Sequence, residues 1–542
     1  MKILSLLTQA LIDALSSLDY PEKQIKLSPP NNSDFGDFST NLPLLLSKDL
    51  KSNPIKIGEK IKNSIILPDG IIDEITITNP GFINFKIGNN YYYNLLSDIL
   101  SNENFGKNNF GEGLKANVEF VSANPTGPLT VGHGRNAVLG DTVANILEWN
   151  GYTVTREYYF NDAGRQMRIL GESVESRYRE LLGENYKFPD GGYEGSYIKD
   201  IAQSIINNHG KSLDKDNLIF RKTAEDLIFK NIKNSLLKIG IHFNQFINEK
   251  SFYENGQIEQ FLEEMKSKDL IYEKDGATWF RSTALGKDQD RVYIKSSGEP
   301  TYRVPDTVYH KDKINRGFDL IIDIFGADHA DTYPDVLIAL DALGLRTNHI
   351  KVLLYQFVTL LRAGEQVKMS TRKANFVTLD YLVDEVSPDV VRYFFIMRGM
   401  NSHLNFDLDL AADQSEKNPV YYLQYAHARI CNIIKYYEET IDSSQKLDYD
   451  PSILIEPSEI RLLKKLENFP LIIENARDVL EPHNIANYLH DTANSFHKFY
   501  SDCRVVTDDI SLTQARIALI KAAKIVLLNG LSILGITSPE RM

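Results

Sequence analysis

Strand-like and helix-like segments alternate along the middle of this chain, and no other feature restricts its fold as strongly. The run ANVEFVS is strand-like, HGRNAVLGDTVANILEWN has the spacing of a helix, and YTVTREYYF is strand-like again. Two later runs, at 318–326 and 351–360, are almost continuously apolar, as strands buried on both faces are. This order of elements predicts an α/β core at about 112–411 with a doubly wound parallel sheet and right-handed crossovers.

The chain on either side of this core follows other patterns. Residues 1–88 combine helix-like runs with the alternating strand IDEITIT and the turn NPGFINFKI, which together predict a small α+β domain. After about 412 the strand signals stop and apolar residues recur at helical spacing, so 412–542 is predicted to be an all-α bundle. A charged segment inside the core, at about 171–290, also has helical spacing and is predicted to be a helical insertion.

Composition excludes several classes of protein. The 542 residues are 42% hydrophobic and 25% charged, which is ordinary for a folded soluble chain. We expect no membrane span, because no run of about 20 apolar residues occurs, and no signal peptide, because Gln9, Asp13 and Asp19 interrupt the first leucines. Two cysteines, Cys431 and Cys503, are too few for a disulfide framework or a structural zinc site, which favours a cytoplasmic location. The net charge of −13 argues against indiscriminate nucleic-acid binding but allows local basic patches.

The stretch SANPTGPLTVGHGRNAVLGD, residues 122–141, places small residues where a strand passes into a helix. A helix beginning near Gly132 offers unpaired N–H groups and a partial positive charge, which suit a phosphate. Glycine at 132 lets a flat ligand such as an adenine ring approach the backbone, and His133 can donate a hydrogen bond to a phosphate oxygen as its charge develops. The alternative is a glycine-rich turn with a capping histidine.

A second cluster, VKMSTRKANFVTL at 367–379, crowds cations into one short loop. Lys368, Arg372 and Lys373 supply the charge, and Ser370 and Thr371 supply hydroxyl donors. Such a loop suits the closure of a polyphosphate site, where cations offset the charge of a leaving pyrophosphate. A solvated basic turn is the alternative for this segment taken alone.

These two segments resemble the signatures of a known enzyme family. ANPTGPLTVGH resembles the HIGH signature and KMSTR the KMSKS signature of class I aminoacyl-tRNA synthetases, and the chain is similar to arginyl-tRNA synthetases of the bacterial type. The likeness follows the order of nearly the whole chain and is weak only in the insertion. The other matching runs are DFGDFSTN, NPGFINF, YYFNDAGRQM, TYRVPDTVYHKDK, GADHADTY, RKANFVTLD, NPVYYLQYAHAR and the terminal SPERM.

The resemblance implies a reaction in two steps. L-Arginine is activated with ATP, accompanied by Mg²⁺, and the arginyl group passes from the adenylate to the 3′ end of tRNA(Arg), whose binding these enzymes usually need before activation. Positioning and charge stabilisation carry such chemistry, so no nucleophilic side chain is required. The implied catalytic residues are Thr130, Gly132, His133, Lys368, Arg372 and Lys373, and the implied ATP contacts are Ala123, Asn124, Pro125, Thr126, Gly127, Pro128, Leu129, Thr130, Val131, Gly132, His133, Lys368, Met369, Ser370, Thr371 and Arg372.

The substrate side chain needs partners of its own. A guanidinium is planar and always charged, and carboxylates hold it best in bidentate geometry. Tyr302 and Asp306 share a face if their segment is helical, and Asp328 follows a buried strand, where it would contact arginine or ribose. A surface salt bridge is the alternative for each carboxylate. The positions that match the arginine site of the family are Glu119, Asn124, Tyr302, Asp306 and Asp328.

The chain departs from both signatures. Thr130 replaces the first histidine of HIGH, so we expect it to make a weaker ATP contact. Thr371 replaces the second lysine of KMSKS, and the lysine that some relatives carry before HIGH is a glycine here. We therefore predict that Arg372 or Lys373, together with Lys368, supplies the missing positive charge.

For RNA, the resemblance assigns the N-terminal domain, 1–88, to the tRNA elbow and the C-terminal bundle, 412–542, of the DALR type, to the anticodon. Phe35 and Phe38 would stack on splayed bases unless they pack inside the domain. We expect a monomer without membrane contact. Three rival interpretations are another class I synthetase, such as a cysteinyl enzyme, a small nucleotidyltransferase, and a non-catalytic tRNA-binding paralogue. The missing Cys/His cluster, the long helical tail and the intact His133, respectively, argue against them.

Overall fold

A computed structural model describes residues 3–30, 32–367, 377–440 and 447–542. Its helices are α1 (Ile3–Ser17), α2 (Leu42–Leu50), α3 (Pro54–Ser64), α4 (Asn89–Leu100), α5 (Val131–Trp149), α6 (Gly164–Leu181), α7 (Ser196–His209), α8 (Leu218–Lys238), α9 (Lys250–Glu254), α10 (Gln257–Ser267), α11 (Arg303–Asn315), α12 (Tyr333–Ala342), α13 (Leu379–Val386), α14 (Pro388–Ile396), α15 (Leu408–Ala412), α16 (Pro419–Thr440), α17 (Pro457–Glu467), α18 (Phe469–Val479), α19 (His483–Asp502) and α20 (Ile510–Leu534). Its strands are β1 (Phe38–Thr40), β2 (Ile72–Thr78), β3 (Phe82–Ile87), β4 (Lys115–Glu119), β5 (Thr153–Phe160), β6 (Gln245–Asn248), β7 (Ile271–Lys274), β8 (Ala277–Phe280), β9 (Arg291–Ile294), β10 (Leu320–Gly326), β11 (Ile350–Tyr355), β12 (Val358–Arg362), β13 (Glu365–Gln366) and β14 (Leu404–Asp407).

The backbone forms two compact units, and the first of them joins the N-terminal segment to two segments from the last quarter of the chain. It contains Met1–Phe105, Arg429–Asn468 and Asn494–Val526. The antiparallel strands β1, β3 and β2 pair in that order, and the predicted strand IDEITIT is β2. Helix α4 packs on α17, and the Tyr93 hydroxyl donates to the Leu454 carbonyl at 3.0 Å. The N-terminal α+β segment and part of the helical bundle therefore share one core.

The second unit contains Gly106–Ala428, Phe469–Ala493 and Leu527–Met542 and is built on the predicted parallel sheet. The strand order is β11-β10-β4-β5-β6, with every pair parallel. Strands β5 and β6 therefore lie on one side of β4, and the later strands β10 and β11 lie on its other side. The predicted strands and helix of the βαβ unit are β4, α5 and β5. The apolar run 351–360 forms two strands, β11 and β12, which belong to different sheets.

The segment at 171–290 contains helices, as predicted, and also strands that the sequence pattern does not reveal. Strand β6 is the outer strand of the parallel sheet, and β7, β8 and β9 form a small antiparallel sheet. Each of these strands has only four residues. A run of that length among charged residues gives too little alternation to be distinguished from helical spacing.

Helix α20 is the one described helix that is long and apolar enough to cross a membrane by length and composition. Its most apolar window is 72% buried inside the protein. A core helix meets the same two criteria, and burial of this extent is typical of one.

Candidate active site

The carboxyl ends of the parallel strands open into one cavity of about 740 Å³. It lies where strand order reverses, between β4 and β10, which is the usual ligand position in open α/β sheets. Distant parts of the chain meet here, from the loop after β4 to the start of α11 and the residues after β10. The predicted site residues that line it are Glu119, Ala123, Asn124, His133, Tyr302, Asp306 and Asp328.

A backbone kink directly after β4 shapes one wall of the cavity. Val121 and Ser122 have φ angles of 65° and 44°, in the left-handed region that β-branched residues strongly avoid. Several contacts hold them there: Val121 N–H donates to Asn136 Oδ1 at 2.7 Å, and the Ser122 hydroxyl donates to Glu119 at 2.8 Å. The Asn136 amide also donates to the Ile324 carbonyl at 2.9 Å, which ties α5 to β10. Strain that is fixed from several sides in this way is typical of functional sites.

Helix α5 begins at Val131, and its first turn controls the ring of His133. Thr130 and His133 form a capping box, and Thr130 N–H donates to His133 Nδ1 at 3.2 Å. Because Nδ1 accepts a hydrogen bond, the ring proton is on Nε2. Burial lowers the pKa of His133 and keeps the ring neutral. His133 therefore offers one N–H donor at a helix N-terminus, next to the cavity.

Gly132 has open space above its backbone. Among the described residues, a Cβ built at this position would meet only Thr130 Oγ1, at 3.7 Å. By contrast, a Cβ at Gly140 in the same helix would lie 2.1 Å from Phe120 Cγ. Packing among the described residues explains glycine at 140 and gives no reason for glycine at 132, where the missing Cβ leaves room for a ligand to lie against the backbone.

Gly132 and the other predicted ATP contacts between residues 125 and 132 do not line the cavity. Leu129 and Val131 are buried in the core, so a ligand would reach only their backbone. The Tyr197 hydroxyl of α7 donates to the Thr126 carbonyl at 2.9 Å and lies beside Gly127. The Thr130 side chain is occupied in the cap of α5. The other predicted ATP contacts in this loop, Pro125 and Pro128, likewise lie outside the lining.

Helix α11 presents the arginine-site candidates at its start. Tyr302 caps the helix and Asp306 lies one turn later, as their spacing predicts. Burial raises the pKa of Asp306 to about 7, and no cation pairs with this carboxylate among the described residues. Asp328 lies on the opposite rim with 67% of its side chain exposed. Asn124 is fixed by Asn161 N–H, which donates to its Oδ1 at 2.9 Å.

The structure adds Glu249, which the sequence analysis missed. It follows β6 and lines the cavity, where the Tyr159 hydroxyl donates to it at 3.0 Å and the Asn161 amide at 2.7 Å. Burial raises its pKa. The rule that ligand contacts follow the strands of a parallel sheet would have found it, but only if the short strand β6 had been recognised.

A row of buried carboxylates crosses the sheet beside the cavity. Asp323 of β10, Glu119 of β4 and Glu157 of β5 are register partners on neighbouring parallel strands. Like charges in such positions repel, and α11 lays basic groups over them. Lys313 lies between Glu119 and Asp323, contacting Asp323 at 2.6 Å, while Arg316 just after the helix binds Glu157 at 2.8 Å. We call these residues, together with His310, the charge array.

His310 is the third cation of this array. Its Nε2 lies 3.0 Å from Asp323 Oδ2 and its Nδ1 lies 2.8 Å from the Asp306 carbonyl oxygen. Both neighbours accept hydrogen bonds only, so both ring nitrogens must carry protons. Burial works to lower the pKa of His310, but Asp323 raises it overall. Burial likewise works to lower the pKa of Lys313, and Asp323 and Glu119 raise it.

The predicted basic loop lies outside the described residues. Lys368, Met369, Ser370, Thr371, Arg372 and Lys373 all belong to it. The strands β12 and β13 lead towards it, and Thr378, which follows it, pairs with Thr130 at the start of α5. The described backbone on its far side thus returns to the His133 end of the cavity.

Comparisons with known proteins agree along the whole chain. Family models match in chain order: the arginyl tRNA synthetase N terminal domain at residues 2–87, the catalytic domain of class I tRNA synthetases (R) at 95–395, and the DALR anticodon binding domain at 423–542.

Curated relatives and solved structures give the same result. An arginine–tRNA ligase of Desulfotalea psychrophila is 49% identical over 95% of this chain and 94% of its own length. One from Salinibacter ruber is 46% identical over 98% of each. The fold is similar to that of the arginyl-tRNA synthetase of Thermus thermophilus, with a TM-score of 0.76 at 20% identity over 99% of both chains.

Proposed function

Because this chain belongs to the arginyl-tRNA synthetase family, and so uses ATP to join arginine to tRNA in translation, we propose how its residues divide that work. The observation that carries the proposal is the cavity itself. It has a neutral histidine donor and a helix N-terminus at one end, and at the other a carboxylate with no cation partner in the described part of the chain. These ends match the phosphates of ATP and the guanidinium of arginine.

The ATP end is the first turn of α5. The adenine lies against the open backbone of Gly132, and His133 Nε2–H donates to a phosphate oxygen. Magnesium enters with ATP as part of the substrate. The arginine carboxylate attacks the α-phosphorus in line and pyrophosphate leaves, so negative charge moves towards the leaving group. Lys368, with Arg372 or Lys373, offsets that charge.

The arginine end is the first turn of α11 with the residue after β6. Asp306 and Glu249 receive the guanidinium, and Tyr302 covers it. Asn124, held by Asn161, binds the polar end of the amino acid near the kink at Val121 and Ser122. A site with buried acceptors rejects an amino acid that leaves them unpaired by about 10⁴-fold. Lysine, with one point charge on a different stem, leaves part of this site unpaired.

The chain divides into an N-terminal region, 1–88, a catalytic region, 112–411, and a C-terminal region, 412–542, and the first and last of these contact the tRNA body. The first region binds the tRNA elbow, and a cavity of about 380 Å³ there is lined by Phe35, Phe82 and Asn79. Phe35 is exposed and available to stack on a base. The last region, including Met542, binds the anticodon. We propose that the enzyme acts as a cytoplasmic monomer.

The test measures charging and then the arginine site. Purified protein, ATP, total tRNA and each of the twenty amino acids should yield acid-precipitable product with arginine alone. In D306N, we expect the KM for arginine in ATP–pyrophosphate exchange, measured with tRNA(Arg) present, to rise about 30-fold or more, because a buried charge partner is lost. The KM for ATP should stay unchanged. Charging with another amino acid, or an unchanged KM for arginine in D306N, would contradict the proposed site.

A further inference from the structure

The charge array beside the cavity contains a group that the reaction does not itself require. Lys313 is fully buried, and its ammonium lies between Glu119 and Asp323. It does not line the cavity, whereas Glu119 and His310 do. The reacting atoms therefore never meet Lys313, and any effect it has on the reaction passes through its neighbours.

The position of this ammonium is that of a cation-binding site. One carboxylate oxygen each of Glu119 and Asp323 and one ring nitrogen of His310 lie within 4.8 Å of one another. Because both His310 nitrogens carry protons, the two carboxylates are the groups that attract a cation here. The protein fills that position with its own side chain. Without Lys313, Glu119 would lose its ammonium partner and face the same cavity as Asp306 and Glu249.

From this geometry we propose that Lys313 is a specificity-determining positioning residue, whose ammonium occupies Glu119 and Asp323 and so leaves Asp306 to receive the substrate guanidinium. The inference rests on the proposed function, in which Asp306 binds arginine. It also explains why helix α11 carries both groups. The helix places Asp306 at its first turn, and Lys313 about two turns later fixes the same helix to β4 and β10.

The main experiment compares K313M with R316M in ATP–pyrophosphate exchange with tRNA(Arg) present. In K313M, arginine is drawn towards Glu119 and its carboxylate is misplaced, so we expect kcat to fall about 10²-fold. The KM for ATP should change by less than about threefold, because the adenine end is untouched. R316M is the matched control, since it removes a cation that binds the neighbouring Glu157, away from the cavity lining. It should lower the melting temperature and leave kcat within about threefold.

A chemical rescue separates the ammonium from general packing. In K313A, whose short side chain leaves the position of the lysine ammonium empty, we expect kcat to fall as in K313M and n-propylammonium chloride to restore most of it, while sodium chloride at the same ionic strength does not. K313R, which keeps a cation, should retain more activity than K313M. Loss of kcat in R316M equal to that in K313M, a fully active K313M enzyme, or a K313A enzyme that is indifferent to the amine would overturn the inference.

Two further variants keep the inference testable. If K313M does not fold, K313M/D323N removes one charge of each sign and still leaves Glu119 without an ammonium, so the same loss of kcat is expected, and its absence overturns the inference. D306N separates the two levels of the argument. An unchanged KM for arginine in D306N refutes the proposed arginine site, whereas a raised KM together with an active K313M refutes only the role of Lys313.

Discussion

At the scale of single residues, protonation decides what the cavity offers to its substrates. His133 stays neutral because it is buried and accepts from Thr130, so it donates one hydrogen bond without carrying charge. For Asp306, burial raises the pKa and so disfavours the ionised carboxylate as long as no cation lies beside it. The substrate guanidinium supplies that cation, and binding therefore favours the ionised carboxylate.

This linkage gives the arginine site a pH dependence. The pKa of Asp306 is raised to about 7 in the free protein. Below that pH the carboxyl group is protonated and must lose its proton before it binds arginine, so kcat/KM for arginine should fall about tenfold per pH unit. Above it, the value should level off. Exchange assays from pH 5.5 to 8.5 test this, and D306N should flatten the profile. A wild-type profile without a break near pH 7 would contradict it.

At the scale of elements, helix α5 combines a packing face with a ligand face. Gly140 presses on Phe120, while Gly132 faces open space. We expect G132A to keep or raise the melting temperature, because alanine favours a helix by up to about 1 kcal/mol, and to raise the KM for ATP about tenfold or more. G140A is the matched control and should destabilise the protein by about 1–3 kcal/mol through overpacking, with the KM for ATP near that of the wild type. Thermal melts and exchange kinetics distinguish the two, and an unchanged KM for ATP in G132A would argue against adenine at this position.

The kink after β4 is a second element-scale feature with a measurable cost. Glycine adopts a φ of 65° without strain, whereas for valine this conformation costs about 1–3 kcal/mol of conformational free energy. Replacing Val121 by glycine should therefore change the free energy of unfolding by less than about 1 kcal/mol, since relief of strain offsets the lost side chain. V118G, in the regular part of β4, should cost about 3 kcal/mol or more. The KM for arginine should rise in V121G, because the wall that carries Asn124 loosens. Equal destabilisation in both variants would show that the kink stores no strain.

At the scale of the whole molecule, residues far apart in sequence share a core. In the first unit the N-terminal segment packs with helices after 429, and Lys464 forms an ion pair with Asp37. Deleting residues 1–105 should therefore lower the hydrogen-exchange protection of α17 by about tenfold or more, because its packing partner α4 is lost. Strand β10, which belongs to the second unit, should keep its protection. Intact protection of α17 after the deletion would show that the helical bundle is stable alone.

The same scale explains what the sequence could predict. The βαβ unit and the strand β2 follow from local periodicity, whereas the shared site of Asn124, His133 and Asp306 was implied by the resemblance to the family. Glu249 was missed because four residues of strand give too weak a signal. The charge array was missed because it depends on the register between strands about 40 and 200 residues apart, which no local pattern contains. The left-handed φ of Val121 runs against the preference of its residue type, so propensity points away from it.

Helix α11 has a consequence for how such a protein changes over generations. In the proposed site its first turn recognises the amino acid, and its later turns anchor it to the sheet through buried charges. A substitution that shifts the helix to suit a different amino acid also disturbs the anchor, and the variant loses folded protein before it gains a new preference. Selectivity for arginine and stability of the fold therefore depend on the same helix, so we expect few single substitutions to change the one without lowering the other.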